Sequence, residues 1–324
     1  MDVKEAFVTT LSRIELNPTR VQLASQRYNA IKQVIEQALP GKTVTQIGSF
    51  QRKTKIRPLD LSDKLDIDLL VKFKTANWSL FGMPGVWETP ESALDKIQRV
   101  LVADQSYRIM RPKPDAPTVS LTYADQFTFE IVPALVDRTG RYNHRPGEPD
   151  CYLVGLNRDT WSPADYDYEA AYISSLNKQT GDRLVPSIKL IKAFLRGHGL
   201  SPDPLKSFHI EILCARIIPP IIASWETYGL NWGYHQVLTY FLCNVGSQLA
   251  SPVALPNSYS PPIQFNLSPT EVQALKSKVD QLGQSAQKLC RLKDSPDTLK
   301  RWREFFGHPF PTLVEYHPDE RGPT

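Results

Sequence analysis

The chain has 324 residues, 41% apolar and 22% charged, enough apolar material for a sizeable core in one compact domain or two closely packed lobes. Its formal charge of +4 falls well short of the dense basic footprint of a protein whose main task is to grip duplex nucleic acid. No stretch approaches the ~20 apolar residues of a membrane span and no leader pattern opens the sequence. Cys151, Cys214, Cys243 and Cys290 are too widely spaced for a disulfide framework or a zinc site. The expectation is a cytoplasmic protein with buried free thiols.

In chain order, apolar spacing predicts a helix over residues 21–39, stopped by Pro40-Gly41. Val44-Thr45-Gln46-Ile47 reads as a strand feeding a turn at Gly48-Ser49. A strand carrying Asp66 and Asp68 follows, then a helix from about Thr89 through Val102, and three short strands at 107–110, 119–123 and 127–132. After Trp161 the pattern turns helical: Ser162-Pro163-Ala164-Asp165 offers an N-cap, a proline at the first helical position and an acid in the first turn. Further helices are predicted over 184–196, 208–218 and 232–249, followed by a proline-rich loop over 251–262. Ser268-Pro269-Thr270-Glu271 is a capping box, and Val272, Leu275, Val279, Leu282, Ala286 and Leu289 behind it form one apolar stripe. Ser295-Pro296-Asp297 opens a last helix, and residues 317–324 read as a disordered tail. There is no internal repeat.

The chemistry concentrates in three places. In Leu65-Asp66-Ile67-Asp68-Leu69-Leu70-Val71, alternation sends both aspartates to one face and Ile67, Leu69 and Val71 to the core. Two adjacent anions on an apolar strand repel and are costly to desolvate unless a hard divalent cation takes their oxygens. Glu130, the single acid in Phe127-Thr128-Phe129-Glu130-Ile131-Val132, is the candidate third carboxylate. Gly48 lets the backbone approach a triphosphate, and Ser49 can donate to a phosphate oxygen. With two cations bridging such carboxylates, a 3′- or 2′-hydroxyl is activated and the departing pyrophosphate stabilised. Arg52, Lys53, Lys55 and Arg57 form a basic loop beside this site, read either as phosphate support or as a solvated surface.

These residues resemble the DNA polymerase β-like nucleotidyltransferases and, within them, the bacterial cGAS/DncV-like enzymes (CD-NTases) that make cyclic oligonucleotide signals in anti-phage defence. The resemblance spans roughly residues 40 to 215. Gly48-Ser49-Phe50, with Arg52, Thr54, Ile56 and Pro58 and then Asp66-Ile67-Asp68-Leu69, is similar to the family's first signature; Glu130-Ile131-Val132-Pro133-Ala134-Leu135 is similar to its third-acid strand. Trp161-Ser162-Pro163 resembles the region opening the helical lobe. Ile188-Lys189-Leu190-Ile191-Lys192-Ala193-Phe194-Leu195 resembles the helix with a phosphate-contacting lysine, by position Lys192, and Ser207-Phe208-His209 resembles the serine and aromatic that touch triphosphate and base. The sequence departs from the family pattern in having Glu130 where aspartate is usual, in a longer stretch between Ser49 and Asp66, and in lacking the zinc-binding insertion of the DNA-sensing animal relatives.

The resemblance implies an α+β fold: a polymerase β-like core with a mixed sheet over residues 1–161 and a helical lobe over 162–324 closing the active-site cleft. It implies Asp66, Asp68 and Glu130 as catalytic and metal-binding residues holding two magnesium or manganese ions. Gly48, Ser49, Lys192, Ser207 and Phe208 are then the nucleotide contacts. The expected product is a cyclic di- or trinucleotide made from nucleoside triphosphates. Downstream effectors would be reached only through that product, without a membrane or an obligate DNA signal, and with room for a regulatory protein partner. Two other readings stay open: a linear oligonucleotide synthetase or terminal transferase acting on RNA or another acceptor, and an inactive nucleotide-binding module. For Phe208, core packing and base stacking both fit; for Lys189 and Arg196, so does a solvated helix face.

Overall fold

A computed structural model describes residues 1–60, 63–74, 88–115, 117–136, 149–154, 160–249, 251–256, 258–262 and 267–312; the tail at 317–324 lies outside them. The described elements are, in order, α1 (Val3–Ile14), α2 (Pro18–Ala38), β1 (Thr43–Ile47), α3 (Gly48–Gln51), β2 (Leu65–Lys74), α4 (Pro90–Ala103), α5 (Gln105–Arg108), β3 (Lys113–Asp115), β4 (Thr118–Thr122), β5 (Phe127–Val136), β6 (Cys151–Val154), β7 (Trp161–Ala164), α6 (Tyr166–Gln179), α7 (Leu184–Gly197), α8 (Ser207–Thr227), α9 (Tyr234–Val245), a 3-10 turn at Gly246–Gln248, α10 (Pro269–Cys290) and α11 (Pro296–Phe306). They form two units. One comprises Leu16–Tyr172 and Ala254–Pro261, the other Met1–Glu15, Ile173–Val253 and Pro262–Thr324, so that the division falls within α6.

The first unit is built on a mixed sheet in the order β1-β2-β5-β4-β3, extended by β6 on β5 and β7 on β6. The ten-residue strands β2 and β5 pair in parallel along their whole length, while β1 on β2 and β4 on β5 are antiparallel. Alternation decides which side chains enter the core. Ile67, Leu69 and Val71 of β2 and Phe127, Phe129 and Ile131 of β5 are fully or almost fully buried, in one cluster with Ile31 and Ile35 of α2 and Leu94, Ile97 and Leu101 of α4. The opposite face carries the acids at one end and a smaller apolar cluster, including Leu70, Val132 and Ala134, at the other.

Two elements differ from the sequence expectation. Residues 107–110 were predicted as a strand, but the Asp104 carboxylate accepts from the backbone N–H groups of Ser106 and Tyr107 and starts the short helix α5. Ile109, within that span, is exposed. Ser162-Pro163-Ala164 does not open a helix either. It forms β7, paired antiparallel with β6 from Cys151↔Ala164 to Val154↔Trp161, and Pro163, which lacks a backbone N–H, is accommodated on this outer strand.

The second unit is helical. Phe7 of α1 packs edge-on against Trp302 at 5.2 Å, Phe306 at 5.7 Å and Phe310 at 5.2 Å, an arrangement that suits the ring quadrupoles. The helices α7 and α8 pack on each other with Leu184, Ile188, Ile191 and Leu195 buried on α7. At 21 residues, α8 is long and apolar enough to match a membrane span, contrary to the expectation that no stretch comes close; 56% of its apolar window is buried within the protein, as in a core helix. Of the cysteines, Cys151 and Cys214 are buried as expected, whereas Cys243 is exposed and Cys290 half-buried.

Candidate active site

The register of β2 and β5 places the acidic residues at neighbouring positions of one face. Asp68 pairs with Glu130 across the parallel ladder, and Asp66 pairs with Thr128. Paired residues in adjacent strands project to the same face, with the strands about 4.8 Å apart and positions i and i+2 about 6.6 Å apart along one strand. Asp66, Asp68 and Glu130 therefore share a face and are each partly exposed, while every neighbour along the strand between them is buried. On the other side of Glu130, β4 contributes Ser120, paired with it, and Thr122, whose hydroxyl lies 3.4 Å from that of Thr128.

Gly48 forms the floor beside this face. Its φ of +71° is in the left-handed region, and a Cβ there would stand 2.0 Å from Oδ2 and 2.9 Å from Cγ of Asp68. Glycine is required twice over: by the backbone conformation and by the close approach of the carboxylate. The following turn is tied back on itself, Arg52 N–H donating to the Gly48 carbonyl at 3.1 Å and Thr54 N–H to the Ser49 carbonyl at 2.9 Å. Ser49 is left partly exposed at the start of α3. Arg52 and Thr54 are buried, so Arg52 is not part of a solvated basic surface, whereas Lys53 is exposed.

Further neighbours complete the surroundings. Tyr166, at the start of α6, has its phenol pushed up by burial and then by the Asp68 charge, with Glu169 adding and Arg52 opposing. Lys72, two pairs further along the Asp66 face, is buried and lies 3.5 Å from Asp167, which also accepts from Gln51 at 2.8 Å. Trp161 donates its indole N–H to the Glu88 carbonyl at 2.9 Å. The sequence signal for Lys72 was its place in step with Asp66 and Asp68; nothing local marked Tyr166.

Among the described residues no three His, Cys, Asp or Glu side chains are grouped closely enough to hold a metal ion as they stand. The chemistry of the donor set nevertheless suits a hard divalent cation: its candidate ligands are carboxylate oxygens alone, and a side chain at position 48 would collide with the Asp68 carboxylate.

In the helical unit, Lys192 is 4% exposed and its Nζ lies 2.5 Å from Oε1 of Glu211, itself 0% exposed. The expected phosphate contact is thus a buried, ion-paired lysine, and Glu211 was missed; the signal for it was a lone acid in the apolar run of α8. Ser207 is exposed at the first position of α8 and Phe208 half-buried. The N-cap, Lys206, gives the helix no side-chain acceptor, which leaves the first-turn N–H groups suited to an anion. A concavity of about 760 Å³ lies in this unit, lined by Leu200, Pro204, Lys206, His209, Leu275 and Lys278. Burial, and then Lys206, push the His209 imidazole down. Lys189 does not stand on an open face but pairs with Glu15 at 2.7 Å.

Residues 1–147 match the Second Messenger Oligonucleotide or Dinucleotide Synthetase (SMODS) domain. No curated protein matches the chain. Among solved structures it is similar to Escherichia coli MS115-1 CdnC with ATP, with a TM-score of 0.69 at 14% identity over 96% of this chain and 99% of that one. CdnC has also been solved in a complex with HORMA-deltaN. The Bradyrhizobium diazoefficiens CD-NTase CdnG with GTP gives 0.67 at 14% identity over 93% and 94%. Vibrio cholerae DncV, a cyclic AMP-GMP synthase described as a prokaryotic cGAS homolog, gives 0.60 at 13% identity over 95% and 87%. The first 147 residues thus match the SMODS domain, and the chain as a whole shares the fold of CdnC, CdnG and DncV.

Proposed function

We propose that the protein is a nucleotidyltransferase that joins nucleoside triphosphates into a cyclic di- or trinucleotide second messenger, as in bacterial anti-phage signalling, from a cytoplasmic location. The observation that carries this reading is the pairing of Asp68 with Glu130 on the face that also bears Asp66, floored by Gly48, within the segment that matches the SMODS domain. Asp66, Asp68 and Glu130 are the residues that would hold two magnesium or manganese ions. When bound, such ions lower the pKa of a coordinated hydroxyl and neutralise charge on a triphosphate.

The protein's own groups account for the remaining roles. Gly48 allows the chain to approach the phosphates, and Ser49 donates to a phosphate oxygen. Glu130 accepts the proton of a 3′- or 2′-hydroxyl as its oxygen bonds to the α-phosphorus and the bond to pyrophosphate breaks. In the helical unit, Lys192, Ser207 and Phe208 are assigned the nucleotide contacts. The ATP and GTP in CdnC and CdnG support nucleoside triphosphates as substrates. The HORMA-deltaN complex of CdnC supports a regulatory protein partner as part of the same reading.

The test is to incubate the purified protein with labelled triphosphates and magnesium and to treat the products with phosphatase. A cyclic product keeps its label in a phosphatase-resistant species. A labelled product that phosphatase trims of its terminal phosphates, changing its mobility while label in internal phosphodiesters survives, would instead identify a linear oligonucleotide synthetase or terminal transferase.

A further inference from the structure

The buried pair Lys192–Glu211 sits where packing alone would favour apolar side chains. Lys192 lies on α7 between Ile188, Ile191 and Leu195, and Glu211 lies on α8 among Ile210, Ile212, Leu213 and Cys214; every one of these neighbours is buried. The Cys214 thiol is pushed up chiefly by burial, with Lys192 and Glu211 acting on it in opposite senses, so both charges are felt inside this apolar layer. A buried ion pair can often be replaced by apolar residues of similar volume without loss of stability. Stability is therefore a weak reason for two charges here, and positioning is a stronger one.

Glu211 stands one helical turn after Ser207 on α8, at the i, i+4 spacing that shares a helix face. The carboxylate thus couples the lysine of α7 to the same stripe of α8 that presents Ser207 at its exposed first turn. A lysine ammonium on a flexible four-carbon stem has many rotamers to lose, and a fixed carboxylate 2.5 Å away selects among them in advance. An ammonium has three donors, so holding one carboxylate oxygen and meeting a phosphate are compatible.

Resting on the nucleotide-contact role assigned to Lys192 above, we infer that Glu211 is a positioning residue for triphosphate binding: it fixes the Lys192 ammonium in register with the first turn of α8.

The test compares wild type, Glu211→Gln, Lys192→Ala and the double variant. Each is measured for the rise in unfolding midpoint produced by nucleoside triphosphate with magnesium, each of the four triphosphates being tried in turn, and for KM and kcat of incorporation. Loss of a ligand contact shrinks the ligand-induced rise, whatever happens to the midpoint without ligand. For Glu211→Gln we expect the rise to fall by at least about half and KM to increase about fivefold or more while kcat stays within about twofold, the pattern of lost binding. The double variant is expected to be no worse than Lys192→Ala, since the two residues act as one unit. Glu211→Gln that lowers the unliganded midpoint but leaves both the rise and KM unchanged would overturn the positioning role while Lys192→Ala still loses the rise, leaving the nucleotide-contact assignment standing. Lys192→Ala with an undiminished rise would overturn both. If Glu211→Gln does not fold, Glu211→Asp, which keeps the charge but withdraws it by one methylene, is read the same way: a reduced rise supports the role, and an unchanged one overturns it.

Discussion

Gly48 and Asp68 show how tightly two residues can define each other. The carboxylate occupies the place where any other residue at position 48 would put its Cβ, 2.0 Å from Oδ2. Gly48→Ala must also hold an L-residue at φ +71°, which costs about 1–2 kcal/mol. We expect it to lower the unfolding midpoint modestly but to reduce nucleotide incorporation roughly 100-fold, since a displacement of ~1 Å in a reacting group can cost that much; a variant with unchanged incorporation would show that the contact is incidental. The pairing of Asp66 and Asp68 was legible because a strand's two-residue period leaves no choice of face. The partnership of Glu130 with Asp68 was legible only as a chemical expectation, because register between strands some sixty residues apart in sequence is set by long-range pairing. Lys192 was singled out through the resemblance of its helix, but the carboxylate that holds it lies nineteen residues on, where only the oddity of an acid in an apolar helix pointed to it.

At the scale of elements, capping chemistry succeeded where it was local. Ser268 accepts from the Glu271 N–H and Glu271 reaches back to Ser268, as the sequence pattern implied. The same signature stands at Asp2 and Glu5 and starts α1, a helix the apolar pattern alone did not bring out. Around residue 165 the local reading failed because its groups were already committed elsewhere. The Asp165 carboxylate, fully buried, accepts from the backbone N–H groups of Asp150 and Tyr259 and from the Ser258 hydroxyl, while the first turn of α6 is capped from a distance by Asp150, which accepts from the Tyr168 N–H at 2.7 Å. Asp165→Ala leaves those buried donors without their acceptor, at about 1–3 kcal/mol each. We expect an urea unfolding midpoint far lower than in Ser268→Ala, where loss of a solvent-facing cap costs about 1 kcal/mol. Equal losses in the two variants would show that the Asp165 contacts carry little weight.

At the scale of the whole molecule, stability is tied to pH through a partly buried group of the helical unit. His235 packs against the rings of Phe7 and Trp302 at 5.9 and 6.0 Å, and its Nδ1 is buried without a hydrogen-bond partner. Burial, and then Lys4, hold its imidazole down at about 4, against the opposing pull of Asp294 and Asp2. The folded value lies below the unfolded one, so the unfolded chain takes up a proton that the folded chain refuses. Stability from this source is complete above pH ~6.5 and declines as pH falls toward ~4, by on the order of 3 kcal/mol. His235→Phe is expected to flatten that part of the pH dependence of the urea midpoint; an unaltered slope would exclude His235 as its origin. The residue pattern was read as a sheet unit over 1–161 and a helical unit over 162–324, whereas the chain divides after Tyr172; the place of the first fifteen residues in the helical unit depends on the packing of Phe7 against Trp302, Phe306 and Phe310, contacts nearly three hundred residues away in sequence. Magnesium-dependent incorporation of labelled nucleotide by Asp66→Asn, Asp68→Asn and Glu130→Gln bears most directly on the catalytic role proposed for the three carboxylates. Each variant keeps the shape of the side chain and removes its charge, so each is expected to stay folded and to lose at least ~100-fold in rate, about 2.7 kcal/mol of transition-state stabilisation. A folded variant of any of the three that incorporates nucleotide at close to the wild-type rate would contradict it.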